Sequence, residues 1–247
     1  MNLPVVIAAL PVGAVVGSFA ATAGLRWARG EQALTGRSHC DACNAPLGLG
    51  RTVPILSYAL QGGSCLDCRA PIHPGHLFGE VLGATVAMIS VMALPIGQAL
   101  LAMGLGLVLI AAGAADAASR RLPDMTSLAV AILGGVLALQ RGPVALLAGL
   151  AAAAITGALL LAIRWVFAAR TGDPKLGQGD VKLAMALALW AGAATPWVFV
   201  IAGPLGLVQT RLVKSADRSI AFGPALALGG WAVGLALQAG LFGDLIP

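Results

Sequence analysis

The chain has 247 residues, 59% of them hydrophobic and only 10% charged. That balance argues against an ordinary soluble domain and points to an integral membrane protein, with room for several spans of about 20 apolar residues each. Lys and Arg outnumber Asp and Glu by 15 to 10; in a membrane protein such an excess reports orientation rather than a nucleic-acid partner, and none is expected.

Eight apolar segments follow in chain order, over 3–25, 77–94, 97–115, 125–140, 144–167, 181–195, 197–210 and 221–241. Pro and Gly interrupt them at LPIG (94–97), RGP (141–143) and TP (195–196). The sixth and seventh are short enough to form one broken span. The opening MNLPVV lacks a basic n-region, which argues against a cleaved signal peptide. The expected fold is an all-α polytopic membrane protein of about eight transmembrane helices. A first helix occupies 1–25, a loop domain 26–76 and a seven-helix membrane domain 77–247. Abundant Ala and Gly predict close helix packing.

Charge orients this chain. With the N-terminus outside and eight alternating spans, Arg26, Arg29, Arg37, Arg51 and Arg69 fall in one inner loop and Arg120 and Arg121 in the next. Arg164, Arg170, Lys175 and Lys182 flank a third, and Arg211, Lys214 and Arg218 a fourth. Fourteen of the 15 basic residues then lie on the cytoplasmic side, and only Arg141 outside. Seven spans would reverse the last cluster. Asp116 closes the third segment and Asp180 opens the sixth, so both acids are expected at the same cytoplasmic face.

The first loop carries every cysteine: Cys40, Cys43, Cys65 and Cys68, spaced C-x2-C-x21-C-x2-C. Two knuckles offering four thiolates suit a tetrahedral zinc. The alternative is two disulfides, but a loop inside the cell keeps its thiols reduced. Four thiolates leave no open position, so the zinc is expected to be structural and to supply folding energy to a loop poor in core residues. His39, His73 and His76 are expected as surface or interfacial residues, since the ligand set is already complete.

Among ten acidic residues, three stand at segment ends. Asp124 reads as the N-cap of the fourth segment, assisted by Thr126. Asp116 and Asp180 have bland readings too, a helix-end carboxylate reaching for water and a second N-cap. Joined, they offer more. Two carboxylates brought close share a proton, one acting as general base on a water and the other as acid toward a scissile amide. Gly177 and Gly179 would let the backbone depart from helix and a peptide approach closely.

These segments together resemble the type IV prepilin peptidase family, which includes the pseudopilin peptidases of type II secretion. The carrying stretches are GSF (17–19), CDAC and CLDC, PILSY (54–58), GEVLGA (79–84), D-x6-P-D (116–124), GQGDVKLA (177–184) and FGPALALG (222–229). The resemblance implies an intramembrane aspartyl endopeptidase of the GxGD kind in the bacterial inner membrane. It would cut the basic leader from type IV prepilins or pseudopilins at the cytoplasmic face, with Asp116 and Asp180 as the catalytic pair. Many such enzymes also N-methylate the new N-terminus from S-adenosylmethionine, using the four-cysteine loop. Here Ala20-Ala21-Thr22 replace the usual Leu-Asn-Val after GSF, and Gly75-His76-Leu77 stand where an Arg-Tyr-Pro run is usual, although Glu80 is kept. Both departures lie in the region associated with methylation. Glu80 also has a plainer reading, a buried carboxylate paired with a nearby base. Two alternatives remain open: a non-catalytic assembly factor that docks partners through its zinc loop, and a transporter using its acids as proton relays.

Overall fold

The computed structural model describes residues 3–32, 37–212 and 221–243. Of the last basic cluster, Lys214, Arg218 and the side chain of Arg211 lie outside the described residues. Among the described residues the regular elements are helices, and the loop over 29–73 adds two isolated β-bridges, His39 with Pro46 and Ser64 with Pro71. In order come α1 (Leu3–Ala28), a short α2 (Leu56–Leu60), α3 (Pro74–Ala93), α4 (Ile96–Ser119), α5 (Asp124–Gln140), α6 (Pro143–Thr171), α7 (Gln178–Ala191), α8 (Thr195–Leu212) and α9 (Gly223–Gln238). Each apolar segment read from the sequence coincides with one of the long helices.

The spans need a finer statement. Among the described residues, five runs are long and apolar enough to cross a membrane: Leu3–Ala28, Pro74–Ala93, Ile96–Ser119, Pro143–Thr171 and Gln178–Gln209 taken as one. The remainder fall short for a geometric reason. At 1.5 Å per residue, the 17 residues of α5 and 16 of α9 reach about 24–26 Å against a hydrocarbon core of about 30 Å. The Gln178–Gln209 run is broken by a 3-10 turn at Gly192–Ala194, which Gly192 enters with φ 54°. Beyond the break α8 returns toward the start of α9, where Gly206 faces the Phe222 ring.

Small residues set the closest crossings. G-x-x-x-G pairs at Gly13/Gly17 and Gly79/Gly83 bring α1 and α3 backbone to backbone: a Cβ on Gly83 would lie 2.2 Å from the Gly13 carbonyl oxygen. Gly24 allows the same approach of α1 to α4 at Ala111. The core gathers between α4, α5, α7 and α9 around the fully buried Trp190, Leu105, Leu187 and Leu226. α6 buries only Gly149, Thr156 and Gly157 and presents Leu147, Ile155, Leu159 and Trp165 outward. Such an apolar outer surface on a helical bundle fits lipid contact.

Candidate active site

Asp116 sits in the last turn of α4 and is 5% exposed. Its Oδ2 accepts the backbone N–H of Gly223, the first residue of α9, at 2.8 Å in a buried bond. The α4 helix ends just beyond, at Arg120 in the left-handed region, whose N–H closes on the Asp116 carbonyl at 2.7 Å. Asp180 lies in the first turn of α7, half-buried, and its Oδ1 has no hydrogen-bond partner. Both acids line one cavity of about 510 Å³ at this end of the bundle, with Trp27, Arg120, Asp124 and Lys182. They are close enough to interact through their charges.

The N-cap readings do not hold. α7 is capped by Gly177 and α5 by Pro123, neither through a side chain, and both acids fall inside the first turn. Asp124 instead pairs with Lys182 at 2.7 Å across the cavity, both side chains largely exposed, while Thr126 Oγ1 donates to the Pro123 carbonyl. The GxG glycines provide room. A Cβ on Gly177 would stand 2.9 Å from Asp180 Oδ2, and one on Gly179 2.8 Å from the Leu122 Cβ. Gly177 is extended and the chain is helical from Gln178 onward. The approach to α7 is held by Arg164 of α6, which donates to the Leu176 carbonyl, and by Asp173. The Lys175 N–H and ammonium both bond Asp173 and hold its carboxyl below the usual range.

Four thiols form a second centre. The sulfurs of Cys40, Cys43, Cys65 and Cys68 lie within 4.8 Å of one another, and Cys40 and Cys68 are 3.8 Å apart. Ligands ~2.3 Å from a tetrahedral zinc stand ~3.8 Å from each other, so the set has the dimensions of a metal site. All four cysteines are free. The two knuckles are copies: Asn44 and Arg69 adopt positive φ, and their N–H groups return to the Cys40 and Cys65 carbonyls at 2.9 Å. The repeat C-x2-C-x-A-P, at 40–46 and 65–71, is the sequence signal for this pairing. The histidines stay outside the thiol cluster. His73 caps α3 by accepting the Gly75 N–H, His39 meets Arg26, and His76 meets Thr22 and Asp41.

A second cavity of about 420 Å³ opens between this loop and the ends of α1 and α3, lined among others by Ser18, Arg26, Asp41, Tyr58, His76 and Glu80. Hydrogen bonding by His76, then Arg29, holds the Asp41 carboxyl well below the usual range despite its burial. Glu80 is buried and is held by a hydroxyl and a backbone N–H. Ser18 Oγ donates to its Oε1 at 3.0 Å and the Ile55 N–H to its Oε2 at 2.7 Å. Ile55 itself takes φ 64°, with Leu56 N–H closing on the Pro54 carbonyl.

Residues 12–94 match the family described as the bacterial Peptidase A24 N-terminal domain, and residues 103–210 the type IV leader peptidase family. The chain belongs to the type IV leader peptidase family. Among its relatives is a "Type 4 prepilin-like proteins leader peptide-processing enzyme" of Escherichia coli O78:H11 (strain H10407 / ETEC), 33% identical over 202 residues, 78% of this chain and 73% of the relative. Two proteins named "Prepilin leader peptidase/N-methyltransferase" also match. That of Neisseria gonorrhoeae is 32% identical over 79% of this chain and 70% of its own, and that of Aeromonas hydrophila 34% over the same shares. No solved structure matches the chain. The four cysteines and Glu80 lie in the stretch matched to the N-terminal domain, and Asp116 and Asp180 in the stretch matched to the peptidase family.

Proposed function

We propose that this family member is an intramembrane aspartyl endopeptidase that removes the basic leader from type IV prepilins or pseudopilins at the cytoplasmic membrane face. The observation that carries the reading is the convergence of Asp116 and Asp180, 64 residues apart in the chain, on one cavity at one end of an apolar bundle. In the reaction, one carboxylate takes a proton from water as its oxygen attacks the scissile carbonyl carbon. The other gives its proton to the amide nitrogen, and the C–N bond breaks to a carboxyl and an amine. Gly177 leaves the peptide backbone space beside Asp180, and Gly179 lets the start of α7 pack closely on Leu122. Eight spans with the N-terminus outside, three of them short, put this cavity on the basic inner side, in the bacterial inner membrane.

Zinc is the metal that suits four thiolates at these separations, as a closed structural centre. The second cavity offers groups that fit S-adenosylmethionine. Arg26 suits its carboxylate, Asp41 and Glu80 its amine and ribose hydroxyls, and the Tyr58 ring its adenine. S-Adenosylmethionine supplies an activated methyl group when bound; the residues named would hold and orient it.

Co-expression with a prepilin tests the proteolytic reading. Asp116→Asn and Asp180→Asn should each leave the prepilin at its unprocessed gel mobility while the protein still accumulates in the membrane. Full processing by either variant removes that acid from the reaction, and by both discards the mechanism. Mass spectrometry of the mature N-terminus reads methylation in the same sample.

A further inference from the structure

The stretch Phe222-Gly223-Pro224 takes no part in the reaction as written, yet it meets one of the acids. Gly223 opens α9, where helix geometry leaves the first amides without intrahelical partners. Pro224 has no N–H, and Phe222 at the N-cap contributes no side-chain bond. This helix end is therefore capped from another helix: the Gly223 N–H bonds Asp116 Oδ2, 107 residues away, in a buried contact. The glycine is not there for a left-handed turn, because its φ is not positive. It is there for space. A Cβ at 223 would lie 2.7 Å from Asp116 Oδ2, 3.0 Å from its Cγ and 3.1 Å from its Cβ, so any other residue displaces the carboxylate.

We infer that Gly223 is the positioning residue for Asp116. The amino end of α9 grips Oδ2 and fixes the carboxylate in the cavity it shares with Asp180, leaving Oδ1 to meet the water. This rests on the aspartyl reading above and adds a third helix to the two that carry the acids.

The test uses the full-length protein in lipid nanodiscs with a purified prepilin. Gly223→Ala should lower kcat at least tenfold with KM within twofold, because substrate is held while the acid is misplaced. Gly229→Ala is the control on the same helix. Its Cβ would press the Val198 carbonyl oxygen of α8 at 2.8 Å, with neither acid among its nearest neighbours, and it should not reproduce that split. Thermal unfolding supplies a second readout should Gly223→Ala fold poorly. The substitution should destabilise the wild-type background more than it does Asp116→Ala, where the carboxylate is gone and only the Cβ contact at 3.1 Å remains. The inference is overturned if Gly223→Ala keeps kcat within twofold, if Gly229→Ala gives the same selective loss, or if the destabilisation is equal in both backgrounds. Normal processing by Asp116→Asn and Asp180→Asn would instead sink the aspartyl reading, while the stability coupling of residues 116 and 223 stood or fell separately.

Discussion

Glu80 joins the membrane bundle to the cysteine loop, and its removal has a calculable effect. Its two oxygens accept from Ser18 of α1 and from the Ile55 N–H of the loop. Each hydrogen bond to a charged group contributes about 1.5–3 kcal/mol, so Glu80→Ala forfeits about 3–6 kcal/mol of local stability. Part of that is recovered, because the positive φ of β-branched Ile55 costs of order 1–3 kcal/mol and relaxes once the bond is gone. The net is about 3 kcal/mol, or roughly a 150-fold increase in local opening. Hydrogen–deuterium exchange of the full-length protein in detergent reads it directly at amides 55–61. Glu80→Gln keeps an acceptor for the Ile55 N–H, and the Ser18 hydroxyl can rotate to match the amide. Only charge assistance is lost there, about 1 kcal/mol, which opens the segment about fivefold. If Glu80→Ala leaves exchange at these amides within threefold of wild type, the carboxylate does not hold the loop and the reasoning fails.

Protein purified without chelator should carry one zinc per chain by elemental analysis. Cys→Ser at any of the four positions should abolish it and speed tryptic cleavage at Arg51 and Arg69; a metal-free yet protease-resistant wild type refutes the zinc centre. Gly83→Ala places a methyl 2.2 Å from the Gly13 carbonyl oxygen, so α1 and α3 must part. A loss of about 2–3 kcal/mol in reversible unfolding is expected, and an unchanged midpoint would show that the crossing is not tight. Asp124→Ala breaks an ion pair whose side chains are 71% and 49% exposed, so stability should change by less than about 1 kcal/mol. A loss above about 2 kcal/mol would mean that the pair acts as a buried strut.

The helices were readable because each is an apolar run ended by Pro, Gly or charge, and lipid demands such runs. The shared end of the two acids was readable from the count of apolar segments, since an odd number of reversals separates the close of one helix from the opening of another. The roles of single carboxylates were less so. Asp124 and Asp180 sit where N-caps are common, and position in sequence does not separate an N-cap from a residue inside the first turn. Tertiary partners decided it: Lys182 for Asp124, and the cavity for Asp180. The plainer of the readings open for Glu80 paired it with a base; a hydroxyl and a backbone N–H hold it instead, and no local pattern announces a donor 25 residues upstream. Gly223 was visible only as part of a motif, because its function is a main-chain bond formed across the fold.

The end of α1 ties the two cavities together. Thr22 and Arg26, one turn apart on a single helix face, line the loop cavity, whereas Trp27 lines the cavity of the two aspartates. Adjacent residues on a helix point about 100° apart, so this last turn is a common wall with one side toward each site. The glycines explain why the wall stands there. Gly17 seats α1 on α3, which carries Glu80, and Gly24 seats it on α4, which carries Asp116. On the proposed function, an N-terminus freed beside Asp116 and Asp180 would pass the tip of α1 to reach the second cavity. The departures from the family pattern at Ala20-Ala21-Thr22 and Gly75-His76-Leu77 fall on or beside the loop-side face of that wall, and His76 and Thr22 are bonded to each other there. One residue from each departure, Thr22 and His76, thus meets the other in the second cavity, on the opposite side of the wall from the aspartates.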